Sequence, residues 1–306
     1  MVLYTPKKLP GVPLLVIIIT LMGAFAPMSI DLYLPAFLQI QEGFGTTDAE
    51  VKKTLTLFLL GLCIGMMFYG PLSDKYGRRN IILIGAIIYS ITSILSTLVS
   101  QIEGLQALRL IQAIGAGACM VVGRAVIRDV FQGKEVAVMM SVVQVIMMIA
   151  PLLAPLIGVA VLYLFKSWQA LFWVLTFFGS AAFFLTFFFL PETYQKEERG
   201  EISIAQTFKN YGLILKDRRS LGAMLGCALP AGVVFAYVTG SSYLYQAQYG
   251  LSEFHFSILF GLNIVGVIIS ALLNILCLKR FSVITLILFG LVWISLAGII
   301  MLFWGD

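Results

Sequence analysis

Asp31 and Arg109 stand out chemically in this 306-residue chain, because each is a charge set inside a long apolar run. A charge at the middle of a bilayer costs about 2.5 to 3.5 kcal/mol on insertion scales, so such groups pair, line a water-filled cavity or carry protons. Asp31 lies about eighteen residues into the first run and Arg109 about six residues into the fourth. Those two runs point in opposite directions. At about 1.5 Å per residue on a span of about 24 residues, both positions fall at similar depth in the outer half of a membrane, and a pair between them is expected. Burial disfavours a carboxylate and a nearby guanidinium favours it, so Asp31 is a candidate to exchange a proton for a cationic substrate. The bland alternatives are a structural ion pair, or an Asp31 close enough to the surface to be wet. Gln112, one turn beyond Arg109, shares its helix face and is a third candidate for the same cavity.

Other chemistry is scarce. Cys63, Cys119, Cys227 and Cys277 all fall in apolar runs without C-x-x-C spacing, and His255 is the only histidine, so no metal site is expected. No nucleophile and base pair and no phosphate-binding GxxxxGK appears, so neither an enzyme nor an ATP-driven machine is expected, and no cofactor.

The elements that must hold these residues are membrane-spanning helices. The chain is 60% hydrophobic and 11% charged, where soluble domains run near 25% charged. Nine apolar runs are visible, near residues 12–36, 51–73, 80–99, 104–127, 136–163, 168–190, 220–246, 254–278 and 282–304. Each is long enough to cross a hydrocarbon core of about 30 Å, and helix is the state that satisfies every backbone group inside lipid. The stretch Gly70-Pro-Leu-Ser-Asp-Lys-Tyr-Gly-Arg-Arg79 between the second and third runs is expected to be a tight polar turn, since its two glycines and its proline break helices. Its basic residues place it in the cytosol, and that choice puts sixteen of the twenty Lys and Arg residues on the cytoplasmic side. The amino terminus, with Lys7 and Lys8, is then cytoplasmic, and the end at Asp306 lies outside. The net charge of +5 is spread loop by loop, which fits topology and a lipid bilayer rather than nucleic acid.

The longest polar interval separates residues 1–190, an expected six-helix bundle, from 220–306, an expected partial bundle of three helices, with 191–219 as a cytoplasmic linker. Within it, Ser203 to Leu215 reads either as an amphipathic surface helix, with Ile204, Phe208 and Leu215 toward lipid, or as a solvated linker. In the fifth run Pro151 and Pro155 lie one turn apart and predict a kink. Met147 and Met148 beside it are read as packing or as a yielding substrate wall.

These motifs together resemble the major facilitator superfamily, most closely its drug:proton antiporters of the bicyclomycin-resistance (Bcr/CflA) type. The turn is similar to the family's signature at Gly70, Leu72, Asp74, Gly77, Arg78 and Arg79. The fourth run is similar to its arginine motif at Leu105, Arg109, Gln112, Gly115 and Gly117, continuing to Arg124, Arg128 and Asp129. The first run carries the subfamily-like Ser29-Ile-Asp-Leu-Tyr-Leu-Pro35. The resemblance implies an all-α membrane fold of two six-helix bundles rocking in alternating access, with Asp31, Arg109 and Gln112 in proton coupling and substrate binding. It also implies an inner latch at the signature turn, in which Asp74 faces a helix end of the second bundle and Arg78 pairs with Asp129. The fifth run departs from the antiporter pattern: Ala154-Pro155-Leu-Ile-Gly158-Val159 has alanine and valine where glycines are usual.

The resemblance further implies export of small amphipathic or cationic drugs in exchange for protons, across a bacterial inner membrane. Import of a small nutrient and a transport-inactive protein are the other readings. Nine helices of an expected twelve lead to the expectation of a truncated member, which would need a partner chain or second copy to complete its wall.

Overall fold

A computed structural model describes residues 10–194, 204–277 and 280–304. Lys7, Lys8 and Asp306, which carry the terminal placements, lie outside the described residues. All the described regular structure is helical: α1 Val12–Gly23, α2 Phe25–Asp31, a 3-10 turn Leu34–Ala36, α3 Phe37–Phe44, α4 Asp48–Tyr76, α5 Arg78–Ser96, α6 Ile102–Val130, α7 Lys134–Met147, α8 Ala150–Phe165, α9 Gln169–Phe189, α10 Ile204–Lys216, α11 Arg218–Tyr243, a π-turn Leu244–Gln248, α12 Glu253–Cys277 and α13 Val283–Trp304. Among the described residues seven helical stretches are long and apolar enough to cross a membrane, and α1 with α2–α3 makes an eighth if that bent pair is one span. The ninth predicted run falls on α13, whose apolar part is Thr285–Ile300. This is an all-α, multi-pass membrane architecture.

The signature stretch is not the ten-residue turn that its glycines and proline suggested. α4 continues through Gly70 and Pro71 to Tyr76, and only Gly77 leaves helical geometry, at φ 96° and ψ 148°, before α5 begins. Gly70 therefore helps to carry the helix, and Gly77 alone supplies the positive φ that a β-carbon would strain. Pro71 has no N–H for the carbonyl four residues back, that of Met67. The Tyr211 hydroxyl of α10 donates to that carbonyl at 3.1 Å, so the proline is tolerated because a neighbouring element takes its place. The interval read as a linker thus contains a helix, and α10 bonds to α4 through Tyr211. The side chains of Ile204 and Phe208 lie outside those described, while Leu215 is exposed, which both readings of this interval allow. Where α10 turns into α11, Asp217 caps the new helix: Ser220 donates from N at 2.9 Å and from Oγ at 2.6 Å. Those bonds hold the Asp217 carboxyl below its usual range.

α6 is the central post. It packs on α4 and α5, and small residues let the backbones approach. A β-carbon on Gly65 would sit 2.5 Å from the Ile114 carbonyl oxygen, and one on Gly117 would sit 2.9 Å from Met66 N. Neither helix has a flexible side chain there to give way. Gly65→Val should therefore force α4 from α6 and destabilise by about 3 kcal/mol, the upper end of ordinary overpacking. Thermal melting in detergent checks this, and an unchanged midpoint would mean the helices are not this close.

Candidate functional site

Two prolines shape the neighbourhood of Asp31. Pro27 and Pro35 lie four residues before and after it, and each leaves a carbonyl without its helical donor. The first span bends by 46° near Ala24, α2 ends at Asp31, and the chain tightens into the 3-10 turn at Leu34–Ala36. Broken helix at membrane depth is tolerated where protein surrounds it. Other carbonyls of the broken stretch meet neighbouring helices: Ser29 O accepts from Arg109 on α6, Leu32 O faces Gly158 on α8, and Leu34 O accepts from the Ser242 hydroxyl on α11 at 2.7 Å.

The expected pair between Asp31 and Arg109 does not form. Arg109 is fully buried and donates from Nη2 to Ser29 O at 2.8 Å and from Nη1 to Gln112 Oε1 at 2.7 Å. The cause is the tightened turn. Tyr33 N donates to Ile30 O instead of Ser29 O, which leaves the Ser29 carbonyl free to meet the guanidinium. The guanidinium also lies over the rings of Phe58, Tyr33 and Phe172. Asp31 is 6% exposed, and among the described residues its carboxylate has neither a hydrogen-bond nor an ion-pair partner.

Gln112 does share the Arg109 site. Its Nε2 donates to Ser93 Oγ at 2.6 Å, Ser93 Oγ donates to Tyr89 O at 2.7 Å, and the Tyr89 hydroxyl meets Ser29 Oγ at 2.5 Å. A buried polar network therefore joins α2, α5 and α6 within two residues of Asp31. The bonds that these groups share tie the three helices to one another.

At the far end of α4 the signature residues form a second cluster. Arg78 Nε donates to Asp129 Oδ2 at 3.0 Å, Nη1 donates to Ser73 Oγ at 2.6 Å and also reaches Asp74, and the guanidinium lies 4.7 Å from the Tyr194 ring centre. The expected Arg78–Asp129 pair is present. Asp74 takes the same arginine as its partner, whereas the resemblance had placed it opposite a helix of the second bundle. Arg79 turns away and donates to the Phe187 carbonyl at 2.7 Å. Gly70, Asp74, Arg78, Arg128 and Asp129 line an open cleft of about 430 Å³. Glu192, just past α9, caps α5 by accepting from Arg78 N at 2.8 Å, a role that Gly77 has no side chain to fill.

In the fifth span the helix is interrupted at Met148 and Ile149 and restarts at Ala150, with Pro151 in its first turn and Pro155 inside it. Ala154, Pro155 and Gly158 are buried, and a β-carbon on Gly158 would lie 2.5 Å from Leu32 O. Gly158 thus touches the segment that carries Asp31. Val159 is only partly buried, so valine in place of the usual glycine leaves this contact intact. Met147 packs its sulfur against Gly23, which is the packing reading.

Tyr89, Ser93, Phe58, Phe172, Tyr194 and Glu192 were not singled out from the sequence. Tyr89 and Ser93 are polar groups four apart inside an apolar run, a usable signal. Phe58 and Phe172 are two of 23 phenylalanines and carry none. Among the described residues no three His, Cys, Asp or Glu side chains gather as a metal site.

The sequence profile of the Major Facilitator Superfamily matches residues 19–306. A bicyclomycin resistance protein homolog of Haemophilus influenzae is 34% identical over 254 residues, covering 83% of this chain and 64% of that protein. An uncharacterized MFS-type transporter of Bacillus subtilis is 38% identical over 255 residues, covering 83% and 63%. A multidrug transporter of Edwardsiella piscicida is 30% identical over 241 residues, covering 77% and 58%. The chain thus spans less than two thirds of the length of these relatives. In fold it is similar to a bacterial homolog of the human lysosomal transporter Spinster, with a TM-score of 0.68 at 17% identity, covering 89% of this chain and 65% of that one.

Proposed function

This chain belongs to the Major Facilitator Superfamily, a family of transporters rather than enzymes, and we propose that it exports small amphipathic or cationic drugs in exchange for protons. The observation that carries the reading is Asp31: a nearly buried carboxylate that has no partner among the described residues, on a broken helix two residues from Ser29, whose carbonyl holds the fully buried Arg109. The relatives named for bicyclomycin and multidrug resistance support drugs as the substrate class. The proposed membrane is the inner membrane of a bacterium, with the amino terminus in the cytosol.

In this reading residues 1–190 and 220–306 belong to two bundles joined by 191–219, and the second bundle touches the first near the Asp31 segment. Ser242 donates to Leu34 O, and Gln39 Nε2 donates to Glu253 Oε1 at 3.1 Å, at the end of the molecule opposite Arg78. Alternating access would part these contacts and close the Arg78 end. Asp31 would release its proton as a cation binds and take one up again from the outer side. The Arg78, Asp74 and Asp129 cluster would set the balance between the two states.

Proteoliposomes containing the 306-residue chain and loaded with ethidium test this. An imposed proton gradient, acid on the side that faces the cell exterior, should drive ethidium against its own gradient toward that acid side, and an uncoupler should abolish the movement. Ethidium that only equilibrates, with the gradient imposed and the protein inserted, contradicts proton exchange.

A further inference from the structure

Arg109 brings a charge into the centre of the fold, and among the described residues no anion pairs with it. An arginine keeps its proton. The residue is 0% exposed, its Nε has no hydrogen-bond partner, and its two bonded acceptors, Ser29 O and Gln112 Oε1, are both neutral. A deeply buried cation ordinarily calls for a counter-charge.

The remaining surface of the guanidinium faces aromatic rings. Its carbon lies 4.3 Å from the centre of Phe58, 4.7 Å from that of Tyr33 and 5.9 Å from that of Phe172. A cation within about 6 Å of a ring centre is attracted by the negative face of the π-system, and most strongly where water is excluded. Phe58 and Phe172 are 0% exposed and Tyr33 is 1% exposed. The rings are themselves held: the Tyr33 hydroxyl meets Thr54 Oγ1 at 3.0 Å, Tyr33 stands edge-on to Phe172 at 5.8 Å, and Phe172 stands edge-on to Trp168 at 5.8 Å. They come from three spans: Phe58 from α4, Tyr33 from the broken first span and Phe172 from α9.

We propose that Phe58, Tyr33 and Phe172 form a cation–π cage that holds the Arg109 charge while Asp31 is not its partner, with Phe58 as the ring that does most of this. Phe58 is then a positioning residue, acting through Arg109. The inference deepens the proton-exchange reading and rests on it for its purpose, though its chemistry stands on geometry alone. It explains how Arg109 can stay bonded to Ser29 O while a carboxylate two residues away is left free to titrate.

Replacing Phe58 by mono-, di- and trifluorophenylalanine weakens the ring face with little change of volume, so the fold is kept. The series is made in the full chain and again in an Arg109→Met background, and unfolding is followed in detergent. With Arg109 present the unfolding equilibrium should shift stepwise with fluorine number, by about tenfold at three fluorines, whereas the Arg109→Met series should be flat. Ethidium efflux should fall in the same order and be restored by Phe58→Trp but not by Phe58→Leu. A ring that only fills space would respond alike in both backgrounds, and that result would overturn the cage. Loss of efflux from the unsubstituted chain, with the fluorine dependence present, would instead remove the transport reading and leave the cage standing.

Discussion

Asp31→Asn should reduce energised ethidium efflux to the level of cells treated with an uncoupler, while the protein still inserts and folds. Asparagine is nearly the same shape as aspartic acid and retains polar atoms, so packing around the bent first span should change little. What it lacks is a proton that can leave. The structure makes this a sharp expectation, because among the described residues Asp31 has no salt bridge whose loss would confuse the result. Efflux retained at the level of the unsubstituted chain, still abolished by an uncoupler, would remove Asp31 from the coupling step.

The second large effect is expected at the other end of the molecule. Arg78→Ala should destabilise by about 3 kcal/mol, the lower end of the cost when one member of a buried charge cluster is removed and the others are left unpaired. Asp129, whose side chain is 14% exposed, would lose its arginine and keep only the Thr193 hydroxyl at 3.2 Å. Asp74 is 41% exposed and can turn to water, which is why the expected loss stays at that lower end. Arg78→Lys should recover only part of the loss, because a lysine cannot reach Asp129, Asp74 and Ser73 together from one planar group. Thermal unfolding in detergent measures both. Equal midpoints for Arg78→Lys and the unsubstituted chain would show that charge alone, without the forked geometry, holds this end.

The helices were legible in the sequence because lipid leaves few alternatives. Runs of about 20 apolar residues had to be helical, and each predicted run is found on helix. Arg78 with Asp129 was legible through the resemblance, and Asp31 and Arg109 through the cost of burying charge. Three things were not legible, each for a physical reason. Pro71 fails to end α4 because Tyr211, 144 positions beyond Met67, supplies a donor to the freed Met67 carbonyl, and local rules do not see a partner that distant. Arg109 declines Asp31 because the backbone tightens at Tyr33 and offers Ser29 O, a detail of one hydrogen bond. The rings around Arg109 were hidden among many similar rings, since periodicity marks a buried face but not what the face touches.

In the proposed exchange, competition between a cation and a proton at Asp31 is the step on which export would depend. Proton release on ethidium binding to the purified 306-residue chain tests it most directly, with a pH indicator in weakly buffered detergent solution and Asp31→Asn beside it. Binding should release protons from the unsubstituted chain and none from Asp31→Asn. Ethidium binding with no proton release from the unsubstituted chain, across the range from mildly acidic to mildly alkaline pH, would contradict the competition.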